Sequence, residues 1–263
     1  MQLKPKKSLG QNFLHDKNII DKIIHASNID SNDEILEVGP GTGNLTELIV
    51  SQNPKKIDVI EKDKNLASIL EEKFLNKINI ITEDILRLPV EFYSRRKFLI
   101  LGNLPYNIST KILTSFIKIE NLRDFYEKFI FIFQKEVADR ILANEDSKNY
   151  GRLSIITSWK MRSNKIFDIN PKYFFPKPKV WSTVINLEPK LKYENLISSK
   201  NLEHITNIFF SQRRKMIKKP MRQLFNNYDE IANKLDIDLN LRPQNISTEN
   251  YLKICKIYEN LTC

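Results

Sequence analysis

Apolar residues in this chain crowd into short runs, separated by stretches in which they recur every third or fourth position. Glu34 to Val38, Lys56 to Glu61, Ile78 to Thr82, Phe98 to Leu101 and Phe129 to Phe133 read as buried parallel strands, each followed by a helical pattern. A sixth strand, Thr183 to Leu187, comes after the Pro-rich stretch from Pro171 to Pro178, and beyond Glu188-Pro189 the pattern turns purely helical. The alternation predicts an α/β fold: a doubly wound, Rossmann-like sheet over residues 1–189 and a small all-helical C-terminal domain over residues 190–263. Such sheets bind ligands beyond the carboxyl ends of their strands, so functional side chains are expected just after each strand.

Composition narrows the picture. The 263 residues suffice for one full core and a satellite, and 41% hydrophobic with 28% charged residues excludes a disordered chain. No apolar run approaches the roughly 20 residues that span a bilayer, and the basic start from Met1 to Lys7 leads into Ser8-Leu9-Gly10 instead of a secretory apolar segment. Cys255 and Cys263 offer neither a disulfide framework nor metal spacing. A cytoplasmic protein with no metal and no membrane partner is the expectation. The net charge of +10 attracts polyanions, of which nucleic acid is the commonest, although a Lys-rich solvated surface accounts for the charge equally well.

Three of the six glycines follow the first predicted strand, in Glu37-Val38-Gly39-Pro40-Gly41-Thr42-Gly43-Asn44. Such spacing lets a backbone turn tightly against a ligand and present the free N–H groups of the next helix. A ligand-free turn is the alternative, and a dinucleotide loop would want glycine at position 44, where this chain has Asn. The form resembles a loop for S-adenosyl-L-methionine, with Gly39 and Gly41 against the cofactor. Glu61 closes the second strand and Asp84 follows the third, where carboxylates can accept ribose hydroxyls and an adenine amine.

After the fourth strand comes Asn103-Leu104-Pro105-Tyr106-Asn107-Ile108-Ser109. This resembles the motif of amino-group methyltransferases, and the chemistry explains the residue types. An adenine amine is a poor nucleophile because its lone pair is delocalised into the ring. The Asn103 side-chain oxygen can accept one N–H, and Leu104, held extended by the following proline, can offer its carbonyl to the other. Tyr106 offers a face for the target base.

These segments, together with Lys7 to Leu14, Gln134-Lys135-Glu136-Val137, Tyr150 to Ser154, Phe174 to Ser182, Gln212 to Lys215 and Arg242 to Ser247, resemble the small-subunit (16S) ribosomal RNA adenine N6,N6-dimethyltransferases of the KsgA type. The resemblance implies a cofactor held by Gln11, Asn12, Leu14, Gly39, Gly41, Glu61, Asp84 and Asn103, and a target amine handled by Asn103, Leu104 and Tyr106 with Phe174 on the far side of the base. It further implies two adjacent adenosines in a hairpin loop near the 3′ end of 16S ribosomal RNA as substrate, within the immature small subunit, and a monomeric enzyme.

The C-terminal domain reads as an RNA-binding annex, with Arg213, Arg214, Lys215, Lys218 and Arg222 available for phosphates. Arg214, Lys218 and Arg222 share one face if their helix is continuous, but Pro220 would break or kink a helix interior. Two other readings remain. A large-subunit (23S) adenine methyltransferase of the macrolide-resistance type commonly carries Ile at position 104 and lacks Gln212-Arg213-Arg214-Lys215. A mainly non-catalytic small-subunit assembly factor would bind without needing Asn103.

Overall fold

The computed structural model describes residues 5–6, 9–89 and 97–262; Met1, Lys7, Ser8 and Cys263 among the residues named above lie outside these. The chain divides into two compact units, residues 1–138 with 163–189, and residues 139–162 with 190–263. Residues 139–162, grouped with the sheet in the sequence reading, fall in the second unit, so the chain enters that unit twice.

The first unit holds β1 (Phe13–Leu14), α1 (Lys17–Ser27), β2 (Glu34–Val38), α2 (Asn44–Ser51), β3 (Lys56–Ile60), α3 (Lys64–Phe74), β4 (Asn79–Ile81), β5 (Phe98–Asn103), α4 (Ser109–Ile117), α5 (Leu122–Phe125), β6 (Tyr126–Gln134), β8 (Phe174–Phe175) and β9 (Ser182–Pro189). Two further elements, α6 (Lys135–Ile141) and β7 (Met161–Ile169), carry the chain out of this unit and back. The main sheet runs β4-β3-β2-β5-β6-β9-β7. Strands β2 to β6 pair in parallel, and β9 runs antiparallel to β6 with Ser182 opposite Gln134. Strand β6 shows why a parallel core reads as an unbroken apolar run: Ile130 and Ile132 point to one face and Phe129, Phe131 and Phe133 to the other, all buried. Phe116 of α4 packs on Phe129, with ring centroids 5.4 Å apart.

Local chemistry sets the ends of the helices. Asp16 caps α1 by accepting the Ile19 N–H at 3.0 Å, Asn28 ends it in the left-handed region, and Ile19, Ile20, Ile23 and Ile24 line its buried face. Asp63 caps α3 through the Asn65 N–H. Where a helix is expected after β4, the described residues form a short 3-10 turn, Ile85–Arg87, with Asp84 capping it.

The second unit includes α7 (Arg152–Lys160), α8 (Ser199–Phe210), α9 (Lys218–Leu224), α10 (Tyr228–Lys234) and α11 (Thr248–Thr262). A buried carboxylate organises the start of α8: Glu259 accepts the N–H groups of Ile197 and Ser198 at 2.9 and 3.0 Å and the Asn201 amide at 2.9 Å. Among the described residues no helix is long and apolar enough to cross a membrane.

Candidate active site

A cavity of about 190 Å³ opens at the carboxyl ends of β2, β3 and β5 and is lined by the glycine loop, Glu61, Asp84, Asn103 and residues 9–14. Gly39, Gly41 and Gly43 all have positive φ, from 59 to 77°, which a side chain would make costly. A Cβ on Gly41 would stand 2.8 Å from the Phe13 ring, and one on Gly43 would stand 2.6 Å from Phe74. At Gly39 a Cβ would meet the Asn103 carbonyl oxygen and Pro105 Cδ at 3.8 Å, ordinary contact, and Gly39 lines the cavity with bare backbone.

The Glu61 side chain accepts the N–H of Gly41 at 3.2 Å through one oxygen and that of Asp63 at 2.8 Å through the other. Each carboxylate oxygen has a second lone pair, which leaves acceptors for a pair of hydroxyls. Burial raises the Glu61 pKa, and the two N–H donors act against that. Beneath the loop Glu37 is fully enclosed and accepts the Thr46 hydroxyl at 2.7 Å; burial pushes its pKa up to about 8, so it is protonated at neutral pH. Asp84 takes a 2.8 Å ion pair from Lys62, and although partial burial opposes it, the donors around Asp84 hold its pKa below the usual value.

Residues 9–14 close one wall. Lys6 pairs with Asp63 at 2.8 Å, Gln11 donates to the same carboxylate at 3.3 Å, and Leu14 is buried. Gln11 thus meets the cavity as a bracket for Asp63. Strand β1 pairs with β8, Phe13 opposite Phe175 and Leu14 opposite Phe174. The Asn103 amide nitrogen donates to the Asn12 carbonyl at 2.7 Å, which fixes the amide so that its oxygen stays free to accept. Leu104 is buried and packs against Gly102, whose missing Cβ would stand 2.8 Å from the Val38 carbonyl oxygen. Tyr106 is half-buried, and its hydroxyl lies 2.5 Å from Ser182 Oγ. Phe174, like Leu104, is buried: it is 2% exposed and belongs to the hydrophobic core, while the neighbouring Phe175 is 59% exposed.

In the second unit the expectation of one basic helical face fails. Helix α8 ends at Phe210 and α9 begins at Lys218, so Arg214 sits in the intervening turn and shares no helix with Lys218 and Arg222. Pro220 falls in the first turn of α9, where its missing N–H would have had no intrahelical partner, and the helix runs on through Arg222. Lys218 and Arg222 both stand over the Tyr228 ring at 6.0 Å. Arg213 is bound internally, to Gln244 at 3.0 Å and to the carbonyls of Ser147 and Lys148. Arg214 and Lys215 are exposed.

Sequence reasoning missed Ser182, Glu37 and the pair of Lys6 with Asp63. Glu37 carried a signal, the acidic position opening the glycine motif; Ser182 carried none, because its partner lies 76 positions away.

A sheet in this order, with one antiparallel strand and a glycine loop facing a buried carboxylate, makes the first unit a class I S-adenosylmethionine-dependent methyltransferase. The chain belongs to the ribosomal RNA adenine dimethylase family, which it matches over residues 2–260. It is 50% identical over 261 residues to ribosomal RNA small subunit methyltransferase A of Pelagibacter ubique (strain HTCC1062), covering 99% of both chains. The dimethyladenosine transferase of Plasmodium falciparum superposes with a TM-score of 0.76 at 25% identity, over 94% of this chain and 98% of that one. The 23S rRNA methyltransferase ErmE superposes with a TM-score of 0.69 over 94% of this chain and 99% of that one, but at 19% identity it shares the fold alone. The protein is a ribosomal RNA adenine dimethyltransferase that uses S-adenosylmethionine.

Proposed function

We propose that the protein converts two adjacent adenosines, in a hairpin loop near the 3′ end of 16S ribosomal RNA, to N6,N6-dimethyladenosine within the immature small subunit, acting as a cytoplasmic monomer. The observation that carries this reading is the meeting of a fixed neutral amide, Asn103, with the glycine loop and Glu61 on one cavity. The cavity fits S-adenosylmethionine: Glu61 suits the ribose hydroxyls, Asp84 the adenine amine, and Gly39 lines the cavity with bare backbone. Asn12, Gln11, Leu14 and Gly41 complete the wall. When bound, the cofactor supplies an electrophilic methyl group.

The residues of this chain do the rest. With its nitrogen committed to Asn12, Asn103 accepts one N–H of the target amine through Oδ1. The Leu104 carbonyl accepts the other, on a backbone anchored by the buried Leu104 side chain. Two acceptors favour a tetrahedral nitrogen with its lone pair directed outward, an effect of orientation and electrostatics. Each transfer would join the amine nitrogen to a methyl group as that group's bond to the cofactor sulfur breaks, and the N–H proton it replaces would leave to solvent. A neutral amide serves both rounds, because it has no charge to readjust as the hydrogens are replaced. Tyr106 stacks on the extruded base, held by Ser182, and Phe174 backs the pocket from its place in the core. Arg214, Lys215, Lys218 and Arg222 take up RNA phosphates, while Arg213 braces the turn that carries the first two.

The test is transfer of labelled methyl from S-adenosylmethionine to unmethylated small subunits, with unmethylated large subunits and DNA as controls, followed by nucleoside analysis. Dimethyladenosine in the small subunit alone is expected; label in the large subunit would overturn the reading.

A further inference from the structure

Two aromatic rings stand where folding gives them nothing to do. Among the described residues Phe175 and Trp181 are the Phe and Trp side chains left exposed, at 59% and 47%. They bracket the link between β8 and β9, and that link, Pro176-Lys177-Pro178-Lys179-Val180, carries two exposed lysines. The backbone at Trp181 is pinned, its carbonyl accepting the Lys135 N–H at 2.8 Å, so the exposed ring stands on a fixed base.

Both rings adjoin the residues that handle the target. Trp181 immediately precedes Ser182, which holds the Tyr106 hydroxyl. Phe175 pairs with Phe13, the neighbour of Asn12, whose carbonyl fixes the Asn103 amide. Exposed rings interleaved with lysines are the composition of a platform for single-stranded nucleic acid, because every base has a face to stack and every step has a phosphate.

We propose that Trp181 and Phe175 stack on the nucleotides flanking the target adenosine, with Lys177 and Lys179 at the adjoining phosphates. This segment then selects which adenosine enters the pocket. The inference rests on the RNA-methylating reading above.

The experiment compares wild type with Trp181→Ala, Trp181→Phe and Phe175→Leu on unmethylated small subunits. Trp181→Ala is expected to raise KM for the subunit about 5- to 150-fold, the range that loss of one stacked base produces, with kcat lowered less than twofold and cofactor affinity unchanged. Trp181→Phe should recover most of that loss, which a merely structural role would not require, and Phe175→Leu should raise KM in the same direction. The chain has a second tryptophan, Trp159, only 4% exposed, so single-stranded adenosine RNA should quench wild-type emission far more than that of Trp181→Phe. An unchanged KM in Trp181→Ala, or equal quenching in both proteins, would overturn the proposal. If wild type methylates neither subunit, the RNA-methylating reading fails by itself, and the quenching still decides whether Trp181 stacks.

Discussion

The hydroxyl of Tyr106 and the Oγ of Ser182 lie 2.5 Å apart, joining the loop after β5 to the first residue of β9 across 76 positions of sequence. The bond fixes the tilt of the ring, whose face we assign to the target base. Burial raises the Tyr106 pKa, so the phenol stays neutral across any practical assay range. Tyr106→Phe keeps the face and loses only the bond, whereas Tyr106→Ala loses the face. We expect kcat/KM to fall by less than tenfold in the first and by about 5- to 150-fold in the second, matching roughly 1–3 kcal/mol of stacking, as read by methyl-transfer kinetics. Equal losses would show that the hydroxyl, and not the ring, is what matters.

Asn103→Asp should be far more damaging than its isosteric shape suggests. The substitution turns the donor facing the Asn12 carbonyl into an acceptor, so two oxygens meet where a 2.7 Å hydrogen bond stood. Methyl transfer is expected to fall at least about 100-fold, the scale for removing one preorganised hydrogen-bonding group from an active site, with a much smaller change in cofactor affinity by calorimetry.

The glycines separate stability from binding. Gly102→Ala forces a Cβ to 2.8 Å from the Val38 carbonyl oxygen, a backbone atom that cannot move aside, and should cost about 1–3 kcal/mol or more in urea unfolding. Gly39→Ala meets nothing closer than 3.8 Å, so its stability cost should stay near the roughly 1–2 kcal/mol of a left-handed residue. Its larger effect should be weakened binding of S-adenosylmethionine, because Gly39 lines the cavity and a methyl there narrows it.

Glu37 imposes a pH dependence on the fold. Its pKa rises from 4.5 in the unfolded chain to about 8 in the folded protein, so the folded state holds its proton more tightly. That contribution is fully present below pH 4.5 and is lost as pH rises through about 8. Glu37→Gln, which cannot ionise, should therefore gain stability relative to wild type in unfolding measurements taken at pH 5, 7 and 9. A constant difference across that range would refute the assignment.

In the second unit, Arg213→Ala should lower thermal stability, because it removes bonds to Gln244, Ser147 and Lys148. Arg214→Ala and Lys215→Ala should leave the melting temperature unchanged and reduce the salt dependence of RNA binding, by about one unit of slope for each phosphate no longer neutralised.

The sequence carried the central sheet well because its strands are buried on both faces and so read as apolar runs; β2 starts and stops where the pattern says it should. Strand β7 escaped because it lies at the sheet edge, where polar residues such as Ser163, Asn164 and Lys165 interrupt the alternation. Strands β1 and β8 are two residues each, too short for any periodicity. Gly39, Gly41, Glu61, Asp84 and Asn103 do line one cavity, as their places just after strand ends led us to expect, because the strands of a parallel sheet end on one edge. Which rings face solvent was not legible: Phe174 and Phe175 are identical letters with opposite fates, decided by pairing with β1. The basic face across residues 214–222 dissolved for a similar reason, since charge spacing alone does not say where one helix stops and the next begins.

Asn12 and Asn103 are 91 positions apart, and the bond between them commits the amide nitrogen and leaves its oxygen as the atom the amide offers the cavity. The motif therefore carries the right letters without yet being a tool. Without that bond nothing would set which end of the amide, donor or acceptor, meets the cavity. The orientation of the motif's amide is thus written not in the motif itself but in a backbone carbonyl from the start of the chain.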